Sequence, residues 1–415
     1  MNDIRRTILW VIFGFSMVLL WDKWQLHNGN KATFFPSPAA VGAAAPAAGA
    51  SAPLAGAASV PASTAPAVAS IGASAVPGTP APAAPAAREK IEVTTDVYRL
   101  TFDGEGGSLT HAELLKHADM TDKAKNFVLF DESTQRVYAA QTGLIGGSFP
   151  THKTVMTAVP GPRALKDGEN ELTIRFESPE QGGVKLVKTW TLKRGAYDIA
   201  VKHEVVNVGS TAVSPQLYLQ LVRDGNKPPG ESSFYSTFTG PAVYTDAKKY
   251  QKIEFKDIEN GKVDIPKESP NGYVAMVQHY FASAWLLADG VQRELFTRKV
   301  SDNLYSVGMI TPLGNIDPGT TKVVDARLFA GPQVETMLEK LSTGLDLVKD
   351  YGWLAILSKP LYWLLDQLHK LLGNWGWSIV ALVLLLKIAF YWLNAKAYAS
   401  MAKMKAINPK IMEMR

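Results

Sequence analysis

The sequence contains no cysteine among its 415 residues. Thiol nucleophiles, cysteine-ligated zinc and disulfide bonds are therefore excluded together, and an exported domain of this chain has to be stabilised by packing alone. Histidine is scarce as well: the seven histidines are scattered, with no H-E-x-x-H motif and no pair at metal-ligand spacing. No G-x-x-x-x-G-K-S/T motif offers a means of binding ATP. These absences leave few catalytic alternatives, and we expect no catalytic residue, no metal, no cofactor and no enzymatic activity.

Charge of the two signs is nearly balanced: 43 basic side chains stand against 38 acidic ones, a net charge of +5. Between Lys387 and Arg415 there are six basic side chains and the single acid Glu413, so this segment carries the whole excess. A protein that reads nucleic acid would spread basic residues over a folded domain, so we expect no nucleic-acid recognition. A short basic segment is instead typical of the cytoplasmic flank of a membrane span.

The N-terminal residues form a short apolar segment. Ile8 to Trp21 carry no charge, with Arg5 and Arg6 before them and Lys23 just after. This core is as short as that of a signal peptide, but its flanks extend it to a length that can cross a bilayer, because Lys23 can snorkel. We therefore expect an uncleaved signal anchor whose N-terminus is cytoplasmic by the positive-inside rule. Cleavage within the alanine-rich stretch that follows is the alternative.

A long stretch without any charge follows the anchor. Residues 36–87 consist mainly of Ala, Pro, Gly and Ser with scattered larger aliphatic residues. Such a segment has too little apolar side-chain area to offset the entropy of ordering its backbone, and its prolines favour extended conformations. We interpret it as a disordered linker.

From Arg88 to about Ala330 apolar and polar residues alternate with a period of two, interrupted by turns such as Gly104 to Gly107. This patterning predicts many antiparallel strands, and therefore a large all-β sandwich. Helical spacing returns only after Pro332, which predicts a helix at the C-terminal edge of the domain. Its expected apolar face comprises Val334, Met337, Leu338 and Leu341. The alternating runs include Ile91 to Val97, Val184 to Leu192 with Lys188 in the same phase as its apolar residues, Tyr197 to Val201 and Leu217 to Leu221.

A short amphipathic helix is predicted next. Ser358 can cap it and Pro360 can open it, and Gly373-Asn374 ends it after roughly thirteen residues, too few to cross a bilayer. Asp366 and Lys370 lie opposite an apolar face, so we expect the helix to lie in the membrane interface. That face is formed by Leu361, Leu364, Leu365, Leu368 and Leu372.

Trp375 to Leu393 form an apolar run that is long enough to cross a bilayer and contains one charge, Lys387. An ammonium at that depth costs several kcal/mol unless something uses it, so Lys387 is predicted to be functional. The alternative is that its four-carbon stem lifts the amine toward the headgroups without any substrate. The basic residues from Lys396 mark the cytoplasmic exit of the span.

Specific motifs occur together in the β region and in the C-terminal segment. They are Asn271 to Phe281 (NGYVAMVQHYF), Leu328 to Pro332 (LFAGP), Asp350 to Trp353 (DYGW) followed by Pro360-Leu361, Gly373 to Ile379 (GNWGWSI), and Lys396 to Met404 (KAYASMAKM). This combination resembles the YidC membrane protein insertases of Gram-negative bacteria (the YidC/Oxa/Alb family). The similarity extends over both ends of the chain and excludes only the linker.

The resemblance implies an N-terminal transmembrane anchor, a periplasmic β-supersandwich, an interfacial helix and an α-helical insertase core in the bacterial inner membrane. It implies a protein that inserts and helps fold integral membrane proteins without an enzymatic step, with or without the Sec translocon, through a cationic hydrophilic groove. The implied partners are nascent membrane proteins with acidic or polar flanks, Sec components, the lipid bilayer and the ribosome.

Three departures from the family pattern bear on the site. Lys387 stands where the family usually has the groove arginine; lysine keeps the charge but loses the planar fork that holds a carboxylate at two points. Tyr391-Trp392 replaces a common Tyr-Pro, so no bend is expected there. The chain ends at Arg415 inside the first helix of a cytoplasmic hairpin, so we expect a C-terminally truncated insertase with only the first span of the core.

Substrate or partner contacts on the cytoplasmic side are assigned to Lys396, Lys403, Met404 and Lys405, for which a solvated basic flank and ordinary hairpin packing are the alternatives. The competing function is a two-span anchor that presents the sandwich to a partner. A relic acid-base site is a further candidate because the sandwich resembles the sugar-mutarotase fold. It would comprise His203 with Glu204, or His279, although adjacent strand residues point to opposite faces.

The sequence thus predicts an N-terminal anchor, an all-β periplasmic domain and a C-terminal membrane unit. The expected segments are the cytoplasmic N-terminus (1–6), a transmembrane helix (7–24), the linker (25–87), the β-supersandwich with its C-terminal helix (88–344), the interfacial helix (345–373), a second transmembrane helix (374–394) and the start of a cytoplasmic hairpin (395–415), with residues 25–373 periplasmic.

Overall fold

The computed structural model describes residues 89–228, 230, 238–349, 351 and 355–413. The predicted anchor and linker lie outside these ranges. The strands, in chain order, are β1 (Lys90–Thr94), β2 (Tyr98–Asp103), β3 (Ser108–Ala118), β4 (Asn126–Glu132), β5 (Val137–Ile145), β6 (Thr157–Ala158), β7 (Glu171–Glu177), β8 (Val184–Lys193), β9 (Asp198–Asn207), β10 (Gln216–Asp224), β11 (Gly240–Thr245), β12 (Lys249–Lys252), β13 (Glu268–Ser269), β14 (Tyr273–Gln278), β15 (Phe281–Leu287), β16 (Arg293–Ser301), β17 (Leu304–Pro312) and β18 (Thr321–Pro332). The helices are α1 (Phe255–Glu259), α2 (Glu335–Leu341), a 3-10 helix (Leu345–Val348), α3 (Ala355–Leu372), α4 (Trp375–Ala389) and α5 (Tyr391–Glu413).

The strands form two antiparallel sheets of nine strands each. The first has the order β1-β2-β3-β4-β5-β10-β17-β16-β13, and the second has the order β12-β11-β14-β15-β18-β9-β8-β7-β6. The two sheets share one hydrophobic core. The predicted all-β sandwich is therefore confirmed.

The alternation of the sequence decides which side chains enter the core. In β1, Ile91 and Val93 are buried while Lys90, Glu92 and Thr94 are exposed. Because side chains of successive strand residues point to opposite faces, this pattern places one apolar row toward the opposite sheet. β14 and β15 differ, since every residue of both is buried.

Buried hydroxyl and indole groups join the sheets. The Trp285 indole of β15 donates to the Gln220 carbonyl of β10 at 3.0 Å. The Tyr138 hydroxyl of β5 lies 2.6 Å from the Ser283 hydroxyl of β15. Both contacts satisfy polar atoms that would otherwise be costly to bury, and they fix the relative position of the two sheets.

Helix α2 follows β18 at the C-terminal edge of the domain, as the spacing predicts. Leu338 is fully buried, and Met337 and Leu341 pack against the core. Val334 precedes the helix and is 38% exposed, so its assignment to the buried face is wrong. Its backbone is extended, which turns its side chain away from the helical face.

Helix α3 begins earlier than predicted. It starts at Ala355, so Pro360 lies inside the helix rather than at its first position. Proline has no N–H, so the helix lacks the hydrogen bond from position 360 to the Ile356 carbonyl in its first turn. At the other end, Gly373 adopts a left-handed conformation with φ of 65° and its N–H donates to the His369 carbonyl, which ends the helix as predicted.

Candidate functional site

Helix α4 contains the predicted charge and begins at a well-formed cap. The Asn374 side chain accepts hydrogen bonds from the N–H groups of Gly376 at 2.8 Å and Trp377 at 3.2 Å. The Ser378 hydroxyl donates to the Asn374 carbonyl at 2.7 Å. The two bonds to the Asn374 side chain satisfy backbone N–H groups that the first turn of a helix leaves free. The GNWGWS motif therefore sets where α4 starts.

One face of α4 packs against α3. Ser378 is fully buried, and Ala381, Leu382 and Leu386 are half-buried on the same side. At the turn between the helices, the His369 and Trp375 rings stack with their centroids 3.8 Å apart. The two helices thus form a hairpin in which one side of α4 is covered.

Lys387 lies on the opposite side of α4. Nine residues, or two and a half turns of 3.6 residues, separate it from Ser378, so the two side chains point in opposite directions. Around it Val380, Val383 and Leu384 are 57%, 47% and 59% exposed. Lys387 is itself exposed and forms no ion pair within the part of the chain that the structure describes. It is the single charge of α4, on an apolar face that none of the residues described in the structure covers.

The predicted second span is interrupted. Helix α4 ends at Ala389, and Phe390 has a ψ of 2°, outside the helical range. Within the described ranges, no helix is both long enough and apolar enough to cross a bilayer alone. Trp375–Ala389 and Asn394–Met404 meet those requirements only as a pair bent by 54°. The expectation of no bend is therefore wrong: the backbone turns at Phe390 without a proline.

The predicted cytoplasmic contact residues lie on α5. The Lys396 amine lies 3.9 Å from the centre of the Trp392 ring, a cation–π contact within one helical turn. Lys396 and Lys403 are two turns apart and share a face, and both are exposed. Met404 is 67% exposed beside them. The Lys405 side chain lies outside the described residues, and no described contact joins Lys387 to this group.

The relic acid-base site does not assemble around His203. His203 is fully buried, and its Nε2 lies 3.0 Å from the Thr142 hydroxyl. Burial, followed by the charge of Lys188, lowers the pKa of His203 to about 3. Glu204 points to the outer face, where it pairs with Arg175 and Lys202. Because the two side chains lie on opposite faces of β9, they cannot act on one substrate.

His279 offers no acid-base partner either. Its ring packs on Tyr280, with the centroids 3.6 Å apart, at the turn between β14 and β15. No described contact joins it to a carboxylate.

Two polar groups of the described chain were not anticipated from the sequence. Lys188 is fully buried between the sheets and donates to the carbonyls of Gly106 at 2.6 Å and Thr142 at 2.7 Å. Its place in the apolar phase of β8 was the available signal. The second group lies around Glu335, at the start of α2, and includes Lys359 of α3, whose amine lies 3.8 Å from the Glu335 carboxylate. These residues are so far apart in the sequence that their spacing does not predict a contact.

Two family models match successive parts of the chain. Residues 90–364 match the family model "YidC periplasmic domain", and residues 367–415 match "60Kd inner membrane protein". The chain is 48% identical over 415 residues to the membrane protein insertase YidC of Janthinobacterium sp. (strain Marseille), covering all of this chain and 72% of that protein. It is 51% identical over 413 residues to that of Cupriavidus necator, covering all of this chain and 73% of the relative.

Solved structures align with part of the chain. A galactose mutarotase related enzyme from Lactobacillus acidophilus aligns with 58% of this chain and 97% of its own, at 9% identity and a TM-score of 0.37. A galactose mutarotase-like protein from Lactobacillus casei aligns with 58% of this chain and all of its own, at 11% identity and the same TM-score of 0.37. Similarity at this level supports no statement about activity.

Proposed function

Because the chain belongs to the YidC family of membrane protein insertases, we propose that Lys387 is the cation that receives the acidic or polar flank of a protein entering the membrane. The protein is a non-enzymatic insertase of the bacterial inner membrane, and it acts on membrane proteins. The proposed role of Lys387 is to recognise the membrane proteins that this chain inserts.

The observation that carries the proposal is the position of Lys387 on α4. It is the single charge of the helix, it faces away from α3, and apolar side chains surround it. A cation at the centre of a membrane helix costs about 2.5–3.5 kcal/mol on insertion scales. A carboxylate that pairs with it offsets part of this cost for both partners, because the attraction between opposite charges strengthens as the surroundings exclude water.

Lysine suits a transient contact. Its ammonium is a compact point charge on a flexible stem, without the planar fork with which arginine holds a carboxylate at two points. A substrate flank can therefore pair with Lys387 from several directions and leave when its apolar segment moves into lipid. Burial of that segment, at about 25 cal/mol per Å² of apolar area, supplies the driving force for release without any nucleotide.

The proposed topology follows the distribution of charge. Arg5 and Arg6 keep the N-terminus in the cytoplasm, the first apolar segment crosses the membrane, and residues 25–373 lie in the periplasm. α3 lies in the interface with its apolar face toward lipid, and α4 with the first turns of α5 returns to the cytoplasm. The bend after Ala389 then falls near the cytoplasmic boundary, since the basic residues begin at Lys396.

The exposed basic face of α5 is proposed as the cytoplasmic contact. Lys396 and Lys403 share that face with Met404 beside them, and Lys405 follows in sequence. The apolar Met404 side chain next to Lys396 and Lys403 suits a partner whose surface carries both charged and apolar groups. A nascent chain, the ribosome and the Sec translocon are the proposed partners of this region.

Charge reversal tests the role of Lys387. In cells depleted of their own insertase and supplied with the complete gene product, we expect Lys387→Glu to abolish insertion of a test protein with an acidic flank, and Lys387→Arg to retain it. A test protein whose flank is made basic should be inserted again by Lys387→Glu. Lys396→Glu serves as the control for a general loss of positive charge. Normal insertion of the acidic substrate by Lys387→Glu would overturn the proposal.

A further inference from the structure

The β domain comprises the two sheets, α2 and the 3-10 helix, whose Leu345 and Val348 are buried in the same core. It meets the membrane unit, α3 and the helices after it, through a polar cluster that the function described so far does not use. We define the α2–α3 latch as Glu335 of α2, Asp346 and Lys349 of the 3-10 helix and its end, and Lys359 of α3. Glu335 is 8% exposed, although it is a carboxylate at the first position of a short helix. A buried carboxylate is retained only where partners compensate its lost hydration.

Lys359 is the partner that comes from the membrane unit. Its amine lies 3.1 Å from the Asp346 carboxylate and 3.8 Å from that of Glu335. The hydrogen bond to Asp346 raises the pKa of the Lys359 amine above its ordinary value. Lys359 therefore stays charged at every physiological pH and bridges two acids of the β domain.

The acids form a negative pocket that needs this cation. Carboxylate oxygens of Glu335, Glu339 and Asp346 all lie within 4.8 Å of one another. Like charges at that distance repel, so the arrangement depends on neighbouring cations. Lys349, 3.7 Å from Glu335, supplies one from the β domain, and Lys359 supplies the second from α3.

A second contact holds the same side of α3. The Lys349 amine lies 3.7 Å from the centre of the Tyr362 ring and 5.0 Å from that of Tyr351. The Tyr351 hydroxyl in turn donates to Glu335 at 2.7 Å. Lys359 and Tyr362 are three residues apart, so they lie on one face of the helix. Two points of attachment on one face restrict both the position and the rotation of α3.

We propose that the α2–α3 latch sets the orientation of the α3–α4 hairpin relative to the β domain, and that insertion depends on this orientation. α3 covers one face of α4, so a rotation of α3 changes which face of α4 is presented to lipid and substrate. Lys349 and Lys359 are thus positioning residues that act through the hairpin and do not touch the substrate. The latch itself does not rest on the role proposed for Lys387.

Residues 1–415 contain no cysteine, so labels at two introduced cysteines measure the orientation once any cysteine outside this range is replaced. One spin label is attached at Val323→Cys, an exposed position of β18, and the other at Gln367→Cys, an exposed position of α3. The distance between the two labels reports how the β domain and the hairpin are oriented in the complete protein in lipid nanodiscs. We expect a single narrow distance distribution in the otherwise unchanged protein. Lys359→Met should broaden it to several distances, and Lys359→Arg should keep it narrow.

Controls separate the latch from a general defect. Among the described residues Lys370 pairs with Asp366 of the same helix, at 2.7 Å, so Lys370→Met should leave the distribution narrow. Asp346→Asn removes the charge from the β-domain side and should broaden it like Lys359→Met. The thermal unfolding of the β domain in Lys359→Met should match the unchanged protein, which excludes misfolding as the cause.

Insertion measured on the same variants completes the test. We expect Lys359→Met to lose most of its insertion of a test membrane protein and Lys359→Arg to retain it, with Lys387 present in both. A narrow distribution in Lys359→Met would overturn the latch. A broad distribution with normal insertion would overturn its role in insertion, and neither result bears on the charge-reversal test of Lys387.

Discussion

Replacement of the buried Lys188 by methionine is a quantitative test of the sandwich core. The Lys188 amine is fully buried, donates to two carbonyls and has a pKa that burial lowers from 10.5 to about 7. Methionine has a similar length and no charge, so Lys188→Met removes the titrating group with little change in volume. The cost is that the Gly106 and Thr142 carbonyls lose this donor, and this cost does not depend on pH.

The two pKa values define the pH range in which the proteins should differ. Between about pH 7 and pH 10.5 the unfolded chain holds a proton that the folded domain has released, so the stability of the unchanged protein rises with pH. At 1.36 kcal/mol for each tenfold change in acidity, charging the buried amine costs about 5 kcal/mol. From about pH 7 to pH 9 the unchanged protein should gain about 2 kcal/mol relative to Lys188→Met.

The neighbouring titratable groups do not contribute to the pH dependence of this stability difference. His203, with a pKa of about 3, and Tyr218, with a pKa of about 12, keep the same protonation state across it. His152 has a pKa of about 4 and is also neutral throughout. The difference between the two proteins therefore reports on Lys188.

Thermal unfolding followed by tryptophan fluorescence at a series of pH values measures the effect. For a domain of this size, the predicted gain corresponds to a rise in Tm of roughly 4–8 °C relative to the variant. Lys202→Met, at an exposed position of β9, is the control for the loss of a lysine from the domain surface. The same dependence on pH for Lys188→Met as for this control would refute the argument that burial perturbs the Lys188 amine.

The start of α4 gives two further predictions. Asn374→Ala removes the acceptor of the Gly376 and Trp377 N–H groups, so we expect a loss of about 1 kcal/mol and faster hydrogen exchange in the first turn of α4; Asn374→Asp should restore protection, and equal exchange in both variants would contradict the cap. Gly373→Ala forces a side chain into a left-handed conformation with φ of 65°, and no heavy atom lies within 4 Å of the added Cβ, so its cost is conformational, about 1–2 kcal/mol in thermal unfolding. Gly373→Asn should cost less, and an equal loss in both variants would contradict a conformational cause.

The sandwich could be predicted from the period-two pattern because a strand with one buried face alternates apolar and polar residues, as β1 does. This pattern was not sufficient for β14, where Tyr273 to Gln278 are buried on both faces. The 3-10 helix covers part of that strand: the Tyr273 hydroxyl donates to the Gly344 carbonyl at 2.7 Å. The 3-10 helix is distant from β14 in the sequence, so the pattern of residues within β14 does not reveal that this helix covers the strand.

The candidate site shows the same limit. Lys387 is visible in the sequence because a lone charge in an apolar run is costly. Its direction, away from α3, depends on how two helices pack, and the bend at Phe390 depends on one backbone angle rather than on a proline. Lys359 is one of many lysines in sequence and acquires its role only from the acids that surround it.

Proximity of the substrate flank to Lys387 is the most direct test of the central claim. Residues 1–415 contain no cysteine, so Val383→Cys, one turn from Lys387 on the same exposed face, and a single cysteine in the acidic flank of a stalled substrate can form a disulfide while Lys387 keeps its charge. We expect this disulfide to form in higher yield than one to a cysteine in the middle of the apolar segment. Ser378→Cys, on the covered face of α4, should give none. No disulfide from position 383 to the flank, or an equal yield from position 378, would contradict the account.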